Sequence, residues 1–569
     1  MKIFFTVGHI AIQSPRKEMS MKKRILSIIA LILVMASLAA CGAPAAPAAT
    51  EAPAAPAGTE APAASKYDNV LNIGVAAKNI STQIDAVWVN RGDPYKTLMF
   101  RSLFIATPDM KGVECDMAES YEVAPDKLTY TVKLKDNLLW HDNEPITGAD
   151  VKWSVEAALK GTLLNAIYTT AFNCLEGVNE FKEGTAADIS GIVVDGNTVT
   201  FKLTRTSSSF LNILAQFAIL PKHCLENANL LELHNDEFWQ HPIGSGMYKL
   251  EEFNPGNYVV YVPFEGYEGQ KPSIEKIIVT AVGDMVSAAQ NGQIDYYATS
   301  NPDQITQLDK MSHMSKYPVN SNYYRYLVCN LADENGVKNE KIADPRIREA
   351  LLLAIDRENI LKGLFLGLGV VTDTGLLATD SDYYAAKTYK YDPDAAKALL
   401  EEAGFDFSQT IKLRYYAGDQ ASASMMEAIA YSWEAIGVKV DVAKFQGSSS
   451  EELFVIRDYD FSLKALSAFA YEEYYGEYLS TNANFSKILG RAEDFDALVA
   501  DLSATDDAAE RAKLLKELQI LEQELLYKMP IAVFGNYIYI NTDKIDIGET
   551  VFGNPYYNYQ LNFANWTVK

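Results

Sequence analysis

A mixed α/β fold divided into several lobes is what this sequence predicts, and three observations carry the prediction. At 569 residues the chain is too long for one compact core and should form roughly two to four lobes. Apolar residues make up 48% of it, enough to fill a large interior. Short stretches with strand periodicity also interleave along the chain with capped stretches of helical periodicity.

The strands come first. NVLNIGVA (Asn69 to Ala76) reads as a buried strand because nearly every position is apolar. LTYTVKL (Leu128 to Leu134) and NTVTFKL (Asn197 to Leu203) alternate in period two, as half-buried strands do. Asp195-Gly196, between GIVV and TVTF, is a hairpin signal, since both turn positions favour positive φ. KIIVTAV (Lys276 to Val282) is a further strand.

The second half is richer in helix. Asp344-Pro345 is a cap followed by a proline in the first turn, and Ile347, Ala350, Leu351, Ala354 and Ile355 recur on one face. Gly363, Gly367 and Gly369 are expected to end that helix. Asp392-Pro393 repeats the device, with Ala396, Leu399, Leu400 and Ala403 on one face and Gly404 as the stop. Leu514, Leu518, Leu521 and Leu525 form a third stripe, expected to close at Pro530. GVKVDV and PIAVFGNYIYIN then read as strands following helices.

The amino terminus reads as an export and anchoring device. Lys22, Lys23 and Arg24 precede an apolar run, Ile25 to Ala36, too short for a permanent span. Leu38-Ala39-Ala40-Cys41 follows, and its small residues before a cysteine resemble the bacterial lipoprotein signal, in which that cysteine is acylated. The expectation is a signal peptide over 1–40, with Met21 as the natural start, and a lipidated Cys41. Residues 41–66 then form an Ala/Pro tether, extended and solvated, that reaches about 70 Å at ~3 Å per residue.

Charge narrows the partners. Lys plus Arg total 50 against 74 Asp plus Glu, a net of −24. The first forty residues carry +5, so the remainder carries −29, which repels phosphate backbones and argues against nucleic acid. Beyond Cys41 only Cys115, Cys174, Cys224 and Cys329 occur, with no Cys-x-x-Cys. Buried free thiols are expected, with one bridge among the first three left open.

AESYEVAPDKLTYTVKLKDNLLWHDNEPITGADVKWSVEAAL (Ala118 to Leu159) resembles the signature stretch of the family 5 extracellular solute-binding proteins, the oligopeptide and dipeptide receptors of ABC importers. Four further segments match in order: HPIGSGMYKLEEFNPG (His241 to Gly256), AAQNGQIDYY (Ala288 to Tyr297), Asp344 to Leu361, and Tyr391 to Phe405. The resemblance implies an α/β, two-lobed clamp of the type II periplasmic-binding-protein kind with an extra inserted subdomain. It places lobe I in 67–108, 223–319 and 526–569, the inserted subdomain in 109–222, and lobe II in 320–525. A cleft would close on the ligand about a two-strand hinge.

Within that frame several residues are candidates for the ligand. The loop after the first strand offers Asp85 and Trp88. Past the second hinge crossing stand Tyr326 and Asn330. Arg101 can bind a carboxylate in bidentate fashion or form a structural ion pair. Family peptide receptors place an Asp that pairs with the ligand's α-amine after the YDF strand. Here that segment is ALSAFAYEEYYGEYLS (Ala465 to Ser480), without the family's tryptophan or Asp-Pro. Glu472 and Glu473 are its nearest carboxylates; either receives a ligand amine, or both are a solvated loop. Tyr471, Tyr474, Tyr475 and Tyr478 line an aromatic wall or pack in the interior.

Other motifs point to structure. Trp140-His141 sits in a turn, with His141 expected to bond a loop and Thr147 or Asp150 to cap the next helix. No histidine has metal-ligand spacing, Gly244-Ser245-Gly246 lacks the third glycine of a dinucleotide loop, and no nucleophile elbow occurs. The expectation is a monomeric receptor without enzymatic activity, cofactor or metal. It would be lipid-anchored on the cell membrane and face outward. It would take a solute, peptide by preference, and pass it to an ABC permease and its ATPase. A metal chelate, an oligosaccharide, or a surface signalling or adhesion role are the alternatives.

Overall fold

The computed structural model describes residues 69–76, 98–107, 112–161, 172–207, 209–333, 336–378, 380–417, 419–467, 471–505, 507–552 and 563–569. The signal segment, Cys41, the Ala/Pro tract, Asp85 and Trp88 lie outside them.

Strand β1 (Val70–Ala76) enters the main sheet. A separate four-stranded antiparallel sheet follows, built from β2 (Ala118–Val123), β3 (Thr129–Leu134), β4 (Ile192–Asp195) and β5 (Thr198–Lys202) in the order β2-β3-β5-β4. The hairpin expected at Asp195-Gly196 forms one residue later: Asp195 still pairs with Thr198, and Gly196-Asn197 make the turn from β4 to β5, with only Gly196, at φ 56°, in the left-handed region. Helices α1 (Gly148–Lys160) and α2 (Lys222–Leu225) pack against each other beside this sheet. The chain then returns to the main sheet through β6 (Tyr248–Asn254), β7 (Tyr258–Pro263), β8 (Lys276–Val282) and β9 (Tyr296–Thr299), and leads into the long β10 (Met314–Cys329).

The helix-rich part contains α3 (Pro345–Leu353), α4 (Arg357–Phe365), β11 (Gly369–Val371), α5 (Pro393–Glu402), β12 (Thr410–Tyr415), α6 (Gln420–Ala435), β13 (Lys439–Lys444), β14 (Phe461–Leu466), α7 (Tyr471–Gly476), α8 (Asp496–Ala504) and α9 (Ala508–Leu525). It ends in the 14-residue β15 (Lys528–Asn541). The Asp344 and Asp392 side chains cap α3 and α5 as expected. Two boundaries differ from expectation. The stretch after Asp344 is two helices, because Asp356 accepts from the Asn359 amide and starts α4 anew; Leu366 and Gly367 at positive φ then end it. Helix α9 stops at Leu526, in the left-handed conformation, so Pro530 lies inside a strand and does not end the helix.

The main sheet has 11 strands among the described residues, in the order β13-β12-β14-β10-β15-β9-β1-β8-β7-β6, with β11 on β15. Strands β10 and β15 are its antiparallel centre and run through both halves. Met314 to Val319 pair with Asn536 to Asn541, beside β9; Tyr323 to Val328 pair with Lys528 to Phe534, beside β14 and β11. Between them the register breaks, and residues 320–322 stand opposite Gly535 alone. A Cβ on Gly535 would lie 2.7 Å from the Val319 carbonyl oxygen, so only glycine fits this crossing without a shift.

The strand directions give the crossing a meaning. Strands β8 and β9 run parallel to β1, and β13 and β14 run parallel to β12. The carboxyl end of β9 reaches Tyr537, and that of β14 reaches Tyr324, one residue from the register break on either side. Both halves therefore turn the carboxyl ends of their parallel strands toward the crossing.

Alternation along β10 separates two interiors. Leu327 and Cys329 join Ile347, Leu351, Met425 and Trp433 from α3 and α6. Tyr324, Tyr326 and Val328 face the other way, onto Tyr474, Leu514 and Leu518 from α7 and α9. A third core joins β1, β3, β5 and β8 with Trp140, Trp239 and Trp566. The four cysteines beyond Cys41 are free thiols; Cys174 and Cys329 are buried, while Cys115 and Cys224 are exposed.

Candidate functional site

The crossing is the place to build a site, because in open α/β sheets ligands sit beyond the carboxyl ends of the strands. A surface cavity of about 470 Å³ lies there on one side, lined by Tyr416 just past β12 and by Lys444, Phe445, Gln446, Gly447 and Ser449 at and past the end of β13. The segment after β14 leads into α7, and the segment after β1 carries Asp85 and Trp88.

Behind this surface lies a buried charged network. Lys528, the first residue of β15, is fully buried, with its ammonium 2.7 Å from Glu477 Oε2. The rings of Tyr478, Tyr326 and Tyr474 stand 4.2, 4.8 and 4.8 Å from that ammonium. Lys464 on β14 donates to Glu477 Oε1 at 2.9 Å, and the Tyr326 hydroxyl donates to Oε2 at 2.6 Å. Burial alone would raise the Glu477 carboxyl, but Lys464 and Lys528 hold it down at about 2. Glu522 on α9 accepts from the Tyr474 hydroxyl at 2.5 Å, the Tyr478 hydroxyl at 3.0 Å and the Gly375 amide at 3.2 Å, and burial pushes its carboxyl up.

Of the candidates of the second half, Tyr326, Tyr474, Tyr475 and Tyr478 belong to this network. Tyr326, Tyr474 and Tyr475 are interior residues of one aromatic core, in which Tyr478 stacks on Phe495 at 4.3 Å. Of the two roles left open for Tyr474, Tyr475 and Tyr478, packing is the one seen here, and Tyr326, expected to face the ligand, is fully buried beside them. Tyr471 donates to Asp380. Glu472 pairs with Arg511 at 2.6 Å, and Glu473 is half-buried on the same helix, so this stretch is a short helix and no open loop. The Asn330 amide nitrogen holds the Arg457 and Tyr459 carbonyls at 3.0 and 2.9 Å, closing the turn that precedes β14.

Arg101 is 3% exposed and grips two carboxylates. Its Nη1 and Nη2 meet both oxygens of Glu268 at 3.0 and 2.8 Å, while Nε and Nη2 donate to Asp116 at 3.0 and 2.7 Å. Burial opposes its charge, and Asp116 and Glu268 outweigh burial, keeping it ionised. Of its two readings, the structural ion pair is the one observed; it is buried and follows no helix face.

Trp140-His141 forms a junction. The His141 backbone amide donates to the Gly244 carbonyl at 2.9 Å. Its ring Nδ1 accepts from the Gly244 amide at 3.1 Å, so Nε2 carries the proton given to the Gly246 carbonyl at 3.0 Å. Ser245 and Gly246 in turn donate to the Met99 carbonyl at 2.8 and 2.7 Å. Thr147 and Asp150 form a complete capping box on α1, as expected. Burial pushes the His141 imidazole down from 6.5 to about 4. The unfolded chain therefore takes up this proton first, and its share of stability is whole above pH 6.5 and drains as pH falls toward 4. Between pH 6.5 and 5 the loss should be about 2 kcal/mol. Urea midpoints at pH 7 and 5 check this: His141→Gln should flatten the difference, and an unchanged slope would refute it.

Two constellations escaped the sequence reading. Lys528 sits at the head of an apolar strand, and Gln519, Glu522 and Gln523 recur on the same face of α9 as Leu515 and Leu518. Polar side chains at helical spacing on a buried face were the available signal. The other is Asp142 with His223 and Cys224, which lie 81 residues apart in sequence and which the fold brings together.

Comparison with known proteins completes the description. Residues 112–486 match the bacterial extracellular solute-binding proteins, family 5 (middle). A Brucella ovis relative is 27% identical over 349 residues, and the match spans 60% of this chain and 62% of that protein's length. The dipeptide-binding protein of Escherichia coli is 26% identical over 443 residues, 71% of this chain and 78% of that one. Among solved structures, lactococcal OppA, complexed with an endogenous peptide in the closed conformation, superposes with a TM-score of 0.70 at 16% identity, covering 87% of this chain and 99% of that one. The fold is thus the two-lobed type II periplasmic-binding-protein clamp with its inserted subdomain. A sheet split at one crossing, an inserted four-stranded sheet and a sequence match over most of its length make this chain a member of the family 5 bacterial extracellular solute-binding proteins.

Proposed function

We propose that this protein captures a solute, a peptide by preference, between the carboxyl ends of β1, β8 and β9 and those of β12, β13 and β14, and delivers it to an ABC permease. The observation that carries this reading is the single crossing of β10 and β15. Two half-sheets joined by two strands, with a register break opposite Gly535, can rotate about that break and close on what lies between them. Ligand binding to the closed state then shifts the population toward it, which is what a permease can read. Lobes I and II meet at this crossing in the proposal, and 109–222 form the inserted subdomain.

The interior fate of Tyr326, Tyr474 and Tyr475 moves the ligand outward, to the loops beyond the strands: the segment with Asp85 and Trp88, the half-buried Glu473, and the cavity at Tyr416 and Lys444. Main-chain hydrogen bonds and one charge-paired terminus would suffice for a peptide of variable sequence. The proposed setting is the outer face of the cell membrane, with Cys41 as lipid anchor and the Ala/Pro tract as tether. Among the described residues no helix is long and apolar enough to cross a membrane. Native mass spectrometry of the purified protein tests the reading. A ladder of co-purified peptides, lost on partial unfolding and refolding, is the expected result. A single sugar or metallophore in their place would overturn the peptide assignment.

A further inference from the structure

We propose that Asp142, His223 and Cys224 bind one thiophilic divalent cation of the zinc class, through a carboxylate oxygen, an imidazole nitrogen and a thiolate. One ligand atom from each lies within 4.8 Å of the others. A tetrahedral ion with bonds of about 2.0–2.3 Å holds its ligand atoms roughly 3.3–3.8 Å apart, so rotation of exposed side chains closes the gap. The three donors are one hard, one intermediate and one soft, a set that favours zinc, nickel or cobalt over calcium or magnesium.

The site is built by the fold, on two arms. Asp142 sits in the turn closed by the Trp140 amide on the Glu144 carbonyl and the Asn143 amide on the Trp140 carbonyl, both at 2.8 Å. Its Oδ1 accepts the Glu144 amide at 3.2 Å, which leaves Oδ2 2.9 Å from His223 Nε2. On the other arm, the Lys222 amide donates to Asp150 Oδ1 at 3.1 Å, and Asp150 Oδ2 accepts the Thr147 amide at 2.9 Å in the cap of α1. The start of α2, which carries His223 and Cys224, is thereby pinned through Asp150 to the cap of α1, three residues past the turn that carries Asp142. Such outer bonds orient a carboxylate and a backbone before any ion arrives.

All three residues are exposed, so an ion enters without opening the fold. On binding, the Cys224 thiol releases its proton to water and its sulfur bonds the metal. The ion takes the place of the hydrogen between His223 Nε2 and Asp142 Oδ2; that hydrogen moves through water to Nδ1, so the imidazole binds the metal through Nε2 as the neutral Nδ1–H tautomer. No oxidant or further reactant is involved. The donor atoms belong to the turn after β3 and to α2, apart from the strand ends at which the solute is proposed to bind.

Cobalt(II) titration of the tag-free mature protein tests this directly. The expected result is saturation at one ion per chain, with a near-ultraviolet thiolate-to-cobalt charge-transfer band, displaced by zinc. Cys224→Ser should abolish the band, and Cys115→Ser should leave it intact. Asp142→Asn and His223→Gln should each weaken zinc binding at least tenfold in competition with a chelating dye. Unfolding midpoints in EDTA, equal to wild type, would show that the variants lose the ion and not the fold. A band that survives Cys224→Ser, affinity indifferent to Asp142 and His223, or no saturable cobalt binding would each overturn the proposal.

Discussion

Glu477→Ala is expected to cost the folded state about 3–5 kcal/mol, the loss typical of removing one partner from a buried ion pair. The carboxylate is the common acceptor of Lys528, Lys464 and the Tyr326 hydroxyl. Without it, the fully buried Lys528 ammonium loses its ion-pair partner and is left against aromatic rings, and Tyr326 loses its acceptor. An exposed pair would lose at most about 1 kcal/mol on the same substitution, and added salt would blur even that. The urea midpoint of Glu477→Ala should therefore fall sharply at low and high salt alike, while Glu477→Gln, which keeps the shape and an acceptor oxygen, should lose less. The acid limb gives a second readout. With its carboxyl held at about 2 in the fold against an ordinary glutamate value of 4.5, Glu477 supplies stability that is whole above pH 4.5 and lost as pH falls through 2. That amounts to on the order of 3 kcal/mol, in a window below the one assigned to His141. A loss under about 1 kcal/mol in Glu477→Ala would show that the network is not buried as described.

Gly246→Ala should be comparably damaging for a steric reason. A Cβ there would stand 2.0 Å from the Leu98 carbonyl oxygen and 2.6 Å from its carbon, and backbone cannot swing aside as a side chain can. Overpacking of a core costs about 1–3 kcal/mol, and a clash with main chain belongs at or beyond the upper end. The displacement would also break the Gly246 amide bond to Met99 and pull its carbonyl from His141 Nε2. Gly283→Ala is the control, since a Cβ there meets nothing within 4 Å and the backbone is unstrained. A thermal midpoint lowered by many degrees in Gly246→Ala and nearly unchanged in Gly283→Ala is the expected pattern. Equal midpoints would contradict the close approach of the two segments.

How much of this was legible in the sequence depends on how local each signal is. KIIVTAV is the strand Lys276–Val282, and Asp344 and Asp392 cap helices, because periodicity and caps are written within a few residues. The second cap at Asp356 was missed because the apolar face continues across the break through Ala354 and Ile355. Pro530 misled for a related reason: a left-handed Leu526 ends the helix first, and the proline joins a strand where its carbonyl serves Arg357. The site was harder still. Tyr326, Tyr474 and Glu472 looked like recognition residues by type and position, yet which way a tyrosine faces on β10 depends on a partner about 150 residues away. Lys528 and Glu477, or Asp142 and His223, make sense only as pairs, and no spacing along one chain announces a pair that the fold assembles.

The path of β15 has a consequence for the order in which the molecule can be made. Residues 528–541 supply the central strand of both half-sheets, and every strand they pair with precedes them in the sequence. Everything translated earlier, including β1, β10 and β14, waits for that strand before either half-sheet is whole. The long sequence separation of these pairings slows their formation. Neither half-sheet can therefore be complete before residues 528–541 are free to pair, however early its other strands are made. The strand that joins the two half-sheets in the folded protein is thus the last of their strands to be synthesised.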